Sequence, residues 1–316
     1  MLNLTPATEP TMYFIGVTTT KSSIMKVFPE WSKFLGLGAV MKGIDIAIHA
    51  DPAIYREAVE FIKNDPLSLG ALVTTHKLDL YEAAKDLFDE FGPYAQMFHE
   101  VSSIYKRDGK LWGEAKDPIT CGMAMEEFVP ANYWKENPEA GVMIMGAGGS
   151  CISMCSYYMR NFSENSPKNI AVANRSLPRL DECHKINDKF YPNTIPAEYF
   201  LTPEPGQNDK VMEEKMGKGS LIINATGLGK DRPGSPLTDD AQFPEKAIVW
   251  EINYRGELTF EHQAEAQQQA KELNIQDGWM YFIYGWTQVI ADVFDQEILG
   301  EKLHRCSDIA KAVTGR

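Results

Sequence analysis

Residues 142–150, Val-Met-Ile-Met-Gly-Ala-Gly-Gly-Ser, decide the fold of this chain. The four apolar residues Val142 to Met145 are typical of a buried parallel strand, because such strands read as continuous hydrophobic runs. They lead directly into Gly146-Ala147-Gly148-Gly149, a turn with almost no side chains. The apolar stretch from Cys151 to Met159 then predicts a helix. The pattern is therefore a strand, a glycine turn and a helix.

This glycine turn favours a bound dinucleotide. Glycine lets the backbone turn tightly and approach a ligand closely, and the start of the next helix offers unpaired N–H groups and a positive dipole end to a pyrophosphate. The alternative is an ordinary tight turn that binds no ligand. The residues at the end of the next strand help to decide between these two interpretations. The turn residues that we expect to contact the cofactor are Gly146, Ala147, Gly148, Gly149 and Ser150.

The second strand of this domain, predicted at residues 169–173, indicates which dinucleotide binds. An NAD-selective site usually has an acidic residue at the end of this strand, where it accepts hydrogen bonds from the ribose hydroxyls. Here the strand ends in Asn174-Arg175-Ser176, and Arg179 follows one turn later. Arginine presents a fork of donors that suits a phosphate, so we expect Arg175 and Arg179 to bind NADP. Two solvated arginines at a helix start are the alternative.

Composition and charge limit the class of protein. The 316 residues are 44% hydrophobic and 24% charged, which is typical of a globular chain of two domains. A net charge of −13 argues against nucleic acid or an anionic membrane as a partner. The five cysteines have no metal-ligand spacing, and Cys151 and Cys155 are expected to pack within a helix. We therefore expect no metal site, reduced thiols, a cytoplasmic location and a small-molecule substrate.

Alternating strand and helix patterns predict an α/β fold. An N-terminal α/β substrate domain (residues 1–128) is followed by a Rossmann-type NADP-binding domain (129–284), with a cleft between them and a C-terminal helix of about 285–316 returning to the first. The first ten residues are expected to form a loose tail. The predicted strands are 13–17, 44–48, 69–73, 142–145, 169–173, 221–224 and 248–252, with a hairpin around Asp108-Gly109; the predicted helices are 27–35, 51–64, 78–91, 118–128, 151–159 and 277–300.

Two charged residues of the first domain are candidates for catalysis. Hydride transfer at a carbon that bears oxygen needs a group that gives or takes the hydroxyl proton. Lys77 follows a buried strand directly, and open α/β sheets build their sites at such strand ends. Asp117, after the hairpin, is the natural partner because a carboxylate can orient an ammonium group. The alternative for either residue is a solvated surface charge.

Taken in order, these segments resemble the shikimate/quinate dehydrogenase family over residues 13–300. The family's serine-bearing loop after the first strand is similar to Gly16 and residues 18–23. The segment that leads to its catalytic lysine loosely matches residues 72–77, and its aspartate segment matches residues 113–117. Beyond the glycine turn, the resemblance implies cofactor contacts from Asn174, Arg175, Ser176, Arg179, Asn224, Ala225, Thr226, Gly227, Tyr254 and Gly278.

The departures from this family lie in the substrate pocket. Ser102 replaces a ring-binding asparagine, and Ala115 replaces the asparagine before the aspartate. The family's C-terminal glutamine falls on Tyr284, with Gln288 one helical turn later. Binding sites that form hydrogen bonds to substrate hydroxyls discriminate strongly between substrates. These changes therefore imply a substrate different from that of the family. The substrate contacts that the resemblance implies are Ser22, Ser23, Thr74, Ser102, Tyr284 and Gln288.

We interpret the chain as an NADP-dependent dehydrogenase of the shikimate dehydrogenase type, acting on a polyhydroxylated, cyclic alcohol or ketone. Shikimate or quinate dehydrogenase activity itself is one alternative. A non-catalytic NADP(H)-sensing protein of the same fold is another. The presence of both Lys77 and Asp117 favours an enzyme, because a sensor does not need a proton-transfer pair. The oligomeric state, a homodimer included, is left open.

Overall fold

Two six-stranded sheets organise the chain, one in each of its two compact units. The computed structural model describes residues 2–230 and 232–316. The first unit combines the residues up to Lys116 with Ile283–Arg316, and the second is Asp117–Phe282. The sequence places the domain boundaries after residues 128 and 284. The predicted two-domain α/β fold is confirmed.

The helices and strands alternate along most of the chain. The strands are β1 (Thr11–Gly16), β2 (Val40–Asp45), β3 (Ser68–Val73), β4 (Glu90–Phe91), β5 (Ser103–Arg107), β6 (Lys110–Glu114), β7 (Val142–Met145), β8 (Ile170–Asn174), β9 (Ala197–Leu201), β10 (Leu221–Asn224), β11 (Ile248–Glu251) and β12 (Asn274–Gln276). The helices are α1 (Ile24–Leu35), α2 (Pro52–Asn64), α3 (Lys77–Ala84), α4 (Pro93–Phe98), α5 (Asp117–Glu126), α6 (Tyr133–Glu136), α7 (Gly149–Arg160), α8 (Leu177–Phe190), α9 (Pro205–Lys215), α10 (Thr259–Glu265), α11 (Gln268–Lys271), α12 (Trp279–Phe294) and α13 (Gly300–Thr314).

The two sheets differ in strand direction. In the first unit the order is β2-β1-β3-β5-β6-β4, with β1, β2 and β3 parallel and β5 antiparallel to both of its neighbours. In the second unit the order is β12-β11-β10-β7-β8-β9, and all pairs are parallel. The second sheet is therefore the doubly wound sheet that the glycine turn predicts.

Local sequence signals explain several boundaries. The Asp51 carboxylate accepts a hydrogen bond from the Ala53 N–H (2.9 Å) and caps α2, with Pro52 in the first turn. Asp108 and Gly109 both have positive φ (51° and 73°), as a tight hairpin turn requires, so the predicted hairpin is confirmed.

Two predicted helices are wrong at their C-terminal ends. The predicted helix 277–300 stops at Phe294, where Asp295 takes a left-handed conformation (φ 49°), and α13 starts separately at Gly300. The predicted helix 78–91 stops at Ala84; residues 85–87 form a 3-10 turn, and Glu90–Phe91 form β4, which pairs with β6 at the sheet edge. Apolar spacing alone did not separate a helix turn from an edge strand.

The predicted loose tail is also wrong. The backbone N–H of Ala7 donates to the Asp65 carboxylate (2.7 Å), and the N–H of Leu2 donates to the Glu57 carboxylate (3.0 Å). Leu2 and Leu4 pack against the core of the first unit. Ala7 and Asp65 are 58 residues apart, so no local pattern could reveal this attachment.

Among the residues that the structure describes, none of the helices is both long and apolar enough to cross a membrane. The cores of both units consist instead of short buried strands and of helices that bury one face. The largest buried side chains include Trp31, Phe28, Trp250 and Phe243.

We expect Asp65→Ala to destabilise the protein, because it leaves the N–H groups of Ala7 and Leu67 without their acceptor. The loss in the free energy of unfolding should be about 1 to 3 kcal/mol, measured by urea denaturation. The control Asp86→Ala removes an exposed ion pair with Arg56, and it should lower the free energy of unfolding by a smaller amount. Equal losses in the two variants would contradict the anchoring role.

Candidate functional site

In the second unit, the carboxyl ends of β7 and β10 lie side by side. The two strands are parallel, and Met145 is opposite Asn224. The strand order reverses between them, since β8 and β9 lie on one side and β11 and β12 on the other. Open α/β sheets bind ligands at such a switch point. The glycine turn and residues 224–227 follow these two strands, so the structure brings these two predicted cofactor segments together.

Gly146 is required by this close approach. A Cβ atom at Gly146 would lie 2.5 Å from the Ala225 carbonyl oxygen, and its φ of 107° is one that other residues rarely adopt. The N–H of Ala225 also donates to the Met145 carbonyl (2.8 Å). The role of Gly146 is therefore to let the loop after β10 lie against the turn after β7.

Gly148 has a different environment. A Cβ atom there would meet no atom of the protein within 4 Å, and the residue has an ordinary extended conformation. Gly148 caps the start of α7, a helix of 12 residues. The packing of the protein does not itself require glycine here, whereas a pyrophosphate at the helix start would use the open space. The turn thus fits a dinucleotide.

The end of β8 carries the residues predicted to select the cofactor. The Asn174 side-chain amide donates to the Ser176 carbonyl (3.1 Å) and shapes the turn before α8. The Arg175 side chain is exposed beside this turn. Arg179 forms an exposed ion pair with Glu182 (2.9 Å). Arg175 is therefore the stronger candidate for a phosphate contact.

A buried carboxyl group organises the loop after β10, and sequence reasoning missed it. Glu251 is fully buried at the end of β11; it accepts hydrogen bonds from the Asn253 backbone (2.9 Å) and from the Asn224 side chain (2.6 Å). Asn224 Oδ1 accepts in turn from the backbone and hydroxyl of Thr226 (3.1 and 2.7 Å). Burial raises the pKa of Glu251 to about 7 despite these hydrogen bonds. An acidic residue that closes the apolar strand 248–251 is the signal that could have shown it.

The remaining predicted cofactor residues lie in well-packed surroundings. Tyr254 packs against Trp279 and Phe282, with ring centroids 5.8 and 4.6 Å away. A Cβ atom at Gly278 would lie 1.9 Å from the Ile252 carbonyl oxygen, so close packing alone explains that glycine. The cofactor roles of Tyr254 and Gly278 stay predictions.

In the first unit, the carboxyl ends of β1, β2 and β3 share one edge of the sheet. Lys77 is the first residue of α3, one short turn after β3, and its carbonyl accepts from the Val101 N–H (3.2 Å). The Thr74 backbone and hydroxyl donate to the Ile15 carbonyl (3.1 and 3.3 Å). The ends of β3 and β1 are therefore fastened together next to Lys77.

The predicted serines lie at the same edge. The turn after β1 is fixed by Thr19, whose N–H and hydroxyl both donate to Asp45 at the end of β2 (2.8 and 2.6 Å). Ser22 follows this turn, and Ser23 precedes α1. The structure thus brings Ser22 and Ser23 to the sheet edge that also carries Thr74 and Lys77.

Ser102 is already engaged with the backbone. Its hydroxyl accepts from the Lys116 N–H (2.8 Å) and donates to the Glu114 carbonyl (3.5 Å), and the residue is buried. The side chain therefore holds the segment that leads to Asp117. Asp117 itself begins α5, and its pairing with Lys77 stays a prediction.

On α12, the side-chain amide of Gln288 donates to the Ile298 carbonyl (2.9 Å) and fastens the connection to α13. This contact gives Gln288 a structural role, whereas Tyr284 is buried on the same helix. An ion pair that the sequence did not indicate joins Lys116 to Asp292 (2.9 Å), and Ser103 donates to the same carboxylate (3.0 Å). Both partners of the ion pair are largely buried.

Comparison with known proteins finds shikimate dehydrogenases among the relatives of this chain. No family model matches the chain. It is 26% identical over 180 residues to shikimate dehydrogenase (NADP(+)) of Lactococcus lactis subsp. cremoris, a match that covers 57% of this chain and 59% of that relative. The chain is thus aligned with less than two thirds of that relative's length.

Solved structures share the fold over nearly the whole chain. A shikimate dehydrogenase from Aquifex aeolicus has a TM-score of 0.72 at 19% identity, covering 99% of this chain and 100% of the other. The ligand-free 5-ketofructose reductase of Gluconobacter sp. strain CHM43 has a TM-score of 0.68 at 15% identity, covering 96% and 99%. At these identities the likeness shows the two-domain α/β fold.

We expect the free energy of unfolding to fall as the pH rises, because the Glu251 carboxyl group then loses its proton inside the folded protein. Its folded pKa of about 7 lies above the ordinary value of 4.5, so between these values the folded state holds a proton that the unfolded state has released. From pH 5 to pH 8 the wild type should lose about 2 to 3 kcal/mol of unfolding free energy relative to Glu251→Gln. Urea denaturation at each pH measures this loss. The exposed control Glu245→Gln should keep the wild-type pH dependence, and a Glu251→Gln variant that keeps it too would contradict the assignment.

Proposed function

We propose that this chain, a low-identity homologue of shikimate dehydrogenases that shares their fold, is an NADP-dependent oxidoreductase acting on CH–OH groups. Its substrate is a polyhydroxylated, cyclic alcohol or the corresponding ketone. The observation that carries the proposal is the open space at Gly148, at the start of α7 and at the switch point of a parallel sheet. We also propose that it works in the cytoplasm, where its unbridged cysteines stay reduced.

In this proposal the second unit holds NADP. The N–H groups at the start of α7 bind the pyrophosphate, and Arg175 binds the 2′-phosphate. The loop 224–227, fixed by Asn224 and Glu251, lies beside the glycine turn and completes the binding surface. When bound, NADP supplies or takes up the hydride at the substrate carbon.

The first unit handles the proton in this proposal. Lys77 as a neutral amine accepts the hydroxyl proton during oxidation, and the ammonium returns it to the oxygen during reduction. Asp117, at the start of α5, is the second catalytic residue of this proposal. Ser22 and Ser23, at the sheet edge that carries Lys77, bind the substrate hydroxyls. Thr74, whose hydroxyl donates to the Ile15 carbonyl, accepts a hydrogen bond from the substrate.

We infer that shikimate is not the preferred substrate. The hydroxyl of Ser102 forms hydrogen bonds with the backbone, and the amide of Gln288 donates to the Ile298 carbonyl in the connection between α12 and α13. Neither side chain is therefore free to replace the amides that bind the substrate in the family. A 5-ketofructose reductase has the same fold, so the fold itself is compatible with a substrate other than shikimate. A screen of cyclic polyols and hydroxy acids, read by NADPH absorbance, tests the function. Turnover supports an enzyme, and NADP binding with no turnover favours the sensor.

We expect Arg175→Asp to weaken NADP binding about ten- to a hundred-fold and to favour NAD in comparison, since a charged hydrogen bond to the phosphate is lost. Fluorescence titration with each cofactor measures the change. The control Lys185→Asp makes the same charge change on an exposed residue of α8, the helix that follows Arg175, and it should leave the ratio of the two affinities unaltered. Equal affinity of the wild type for NAD and NADP would overturn the assignment.

We expect Lys77→Met to lower turnover about a hundred- to ten-thousand-fold, which is the usual contribution of a general acid–base group. NADP affinity should stay nearly unchanged, because the lysine belongs to the first unit. The control Lys85→Met removes an exposed lysine just after the same helix and should keep full activity. A pH–rate profile that loses one limiting pKa in the Lys77 variant supports the role, and wild-type rates in that variant refute it.

A further inference from the structure

Three cysteines of the second unit form a buried group that the proposed dehydrogenase does not use. Cys151 and Cys155 lie one turn apart on α7, and Cys183 lies on α8. Their Sγ atoms are all within 4.8 Å of one another, and all three residues are completely buried. Sequence spacing did not show this group, because its third member comes from the next helix.

Asn187 extends the group. It is one turn after Cys183 on α8, it is 3% exposed, and its Nδ2 lies 3.7 Å from Cys183 Sγ and 2.8 Å from the Tyr199 hydroxyl. Its Oδ1 is buried and has no hydrogen-bond partner among the described residues. A half-turn of the amide exchanges its nitrogen and oxygen. Oδ1 then faces Cys183, and the Tyr199 hydroxyl can donate to it.

We propose that Cys151, Cys155, Cys183 and Oδ1 of Asn187 form a binding site for one thiophilic d10 cation of the Zn²⁺ type. Zinc takes four ligands in a tetrahedron, with Zn–S bonds of about 2.3 Å and Zn–O bonds of about 2.1 Å. Such bonds place two sulfurs about 3.8 Å apart, and a sulfur and an oxygen about 3.6 Å apart. The observed separation from Cys183 to the amide, 3.7 Å, is close to this value, whereas the sulfurs, at most 4.8 Å apart, would move together by up to about 1 Å on binding the ion.

The charges of this cysteine group suit a divalent ion. Three thiolates and one divalent cation leave a single negative charge, and Cys151 lies in the first turn of α7, where the helix dipole stabilises it. Thiolate, not thiol, is the metal ligand. The bound ion joins α7 to α8.

Metal analysis of the whole chain tests the proposal. The protein is expressed with added Zn²⁺, and the metal-free protein is separately titrated with Cd²⁺ under reducing conditions. We expect one equivalent of each ion, and X-ray absorption of the zinc-loaded wild type should give three sulfur ligands and one oxygen. This measurement does not depend on any variant. Fewer than three sulfur ligands, or no retained zinc, would overturn the proposal.

Cysteine variants locate the ion. We expect Cys183→Ala to bind Cd²⁺ at least a hundred-fold more weakly, judged by the ultraviolet thiolate-to-cadmium absorption. The buried cysteines outside the group provide matched controls, and Cys121→Ala and Cys306→Ala should bind as the wild type does. Tyr199→Phe, which removes the hydroxyl next to the amide, should weaken binding about ten-fold. Wild-type affinity in Cys183→Ala, or a loss in both controls, would refute the site.

Discussion

The second unit depends on the close contact of two backbones at Gly146. A side chain there would overlap the carbonyl of Ala225, so only glycine lets the loops after β7 and β10 lie against each other. These two strands are also the ones between which the strand order reverses. The open space at Gly148 and the loop that carries Thr226 therefore belong to the same end of the sheet. One missing Cβ atom thus fixes the geometry of the proposed cofactor surface.

Hydrogen bonds also connect the loop after β10 to the end of β11. Asn224 uses its amide nitrogen for the carboxyl group of Glu251 and its oxygen for Thr226, so both ends of one side chain are fixed. Glu251 has no exposed surface, so burial disfavours its charged form. Three N–H donors from Asn224 and Asn253 partly offset this effect. The carboxyl group of Glu251, whose pKa burial raises to about 7, holds this loop in place.

Features encoded over a few residues could be predicted from the sequence. The helix start at Asp51, the turn at Asp108-Gly109 and the glycine turn each depend on neighbours within a few positions, and each lies where predicted. The alternation of strands and helices likewise predicted two α/β units.

Features that depend on distant partners could not be predicted. The acceptor for Ala7 is 58 residues away, and Cys183 meets Cys151 only because α7 and α8 pack side by side. In the candidate site, sequence likeness proposed Ser102 and Gln288 as substrate contacts, but it could not show that backbone groups already occupy their side chains. Whether a polar side chain binds the substrate or a backbone group depends on which of them lies close to it in the folded protein. The residue type alone does not show this.

The first unit is discontinuous in the chain, whereas the second is a single segment. The indole of Trp31 on α1 donates to the carbonyl of Cys306 on α13 (2.8 Å), and Phe28 packs near Phe294. On the ribosome, α1 is made long before α13. A nascent chain therefore leaves the part of α1 that contacts α13 uncovered until α13 has emerged. That interval is when aggregation or chaperone binding competes with folding.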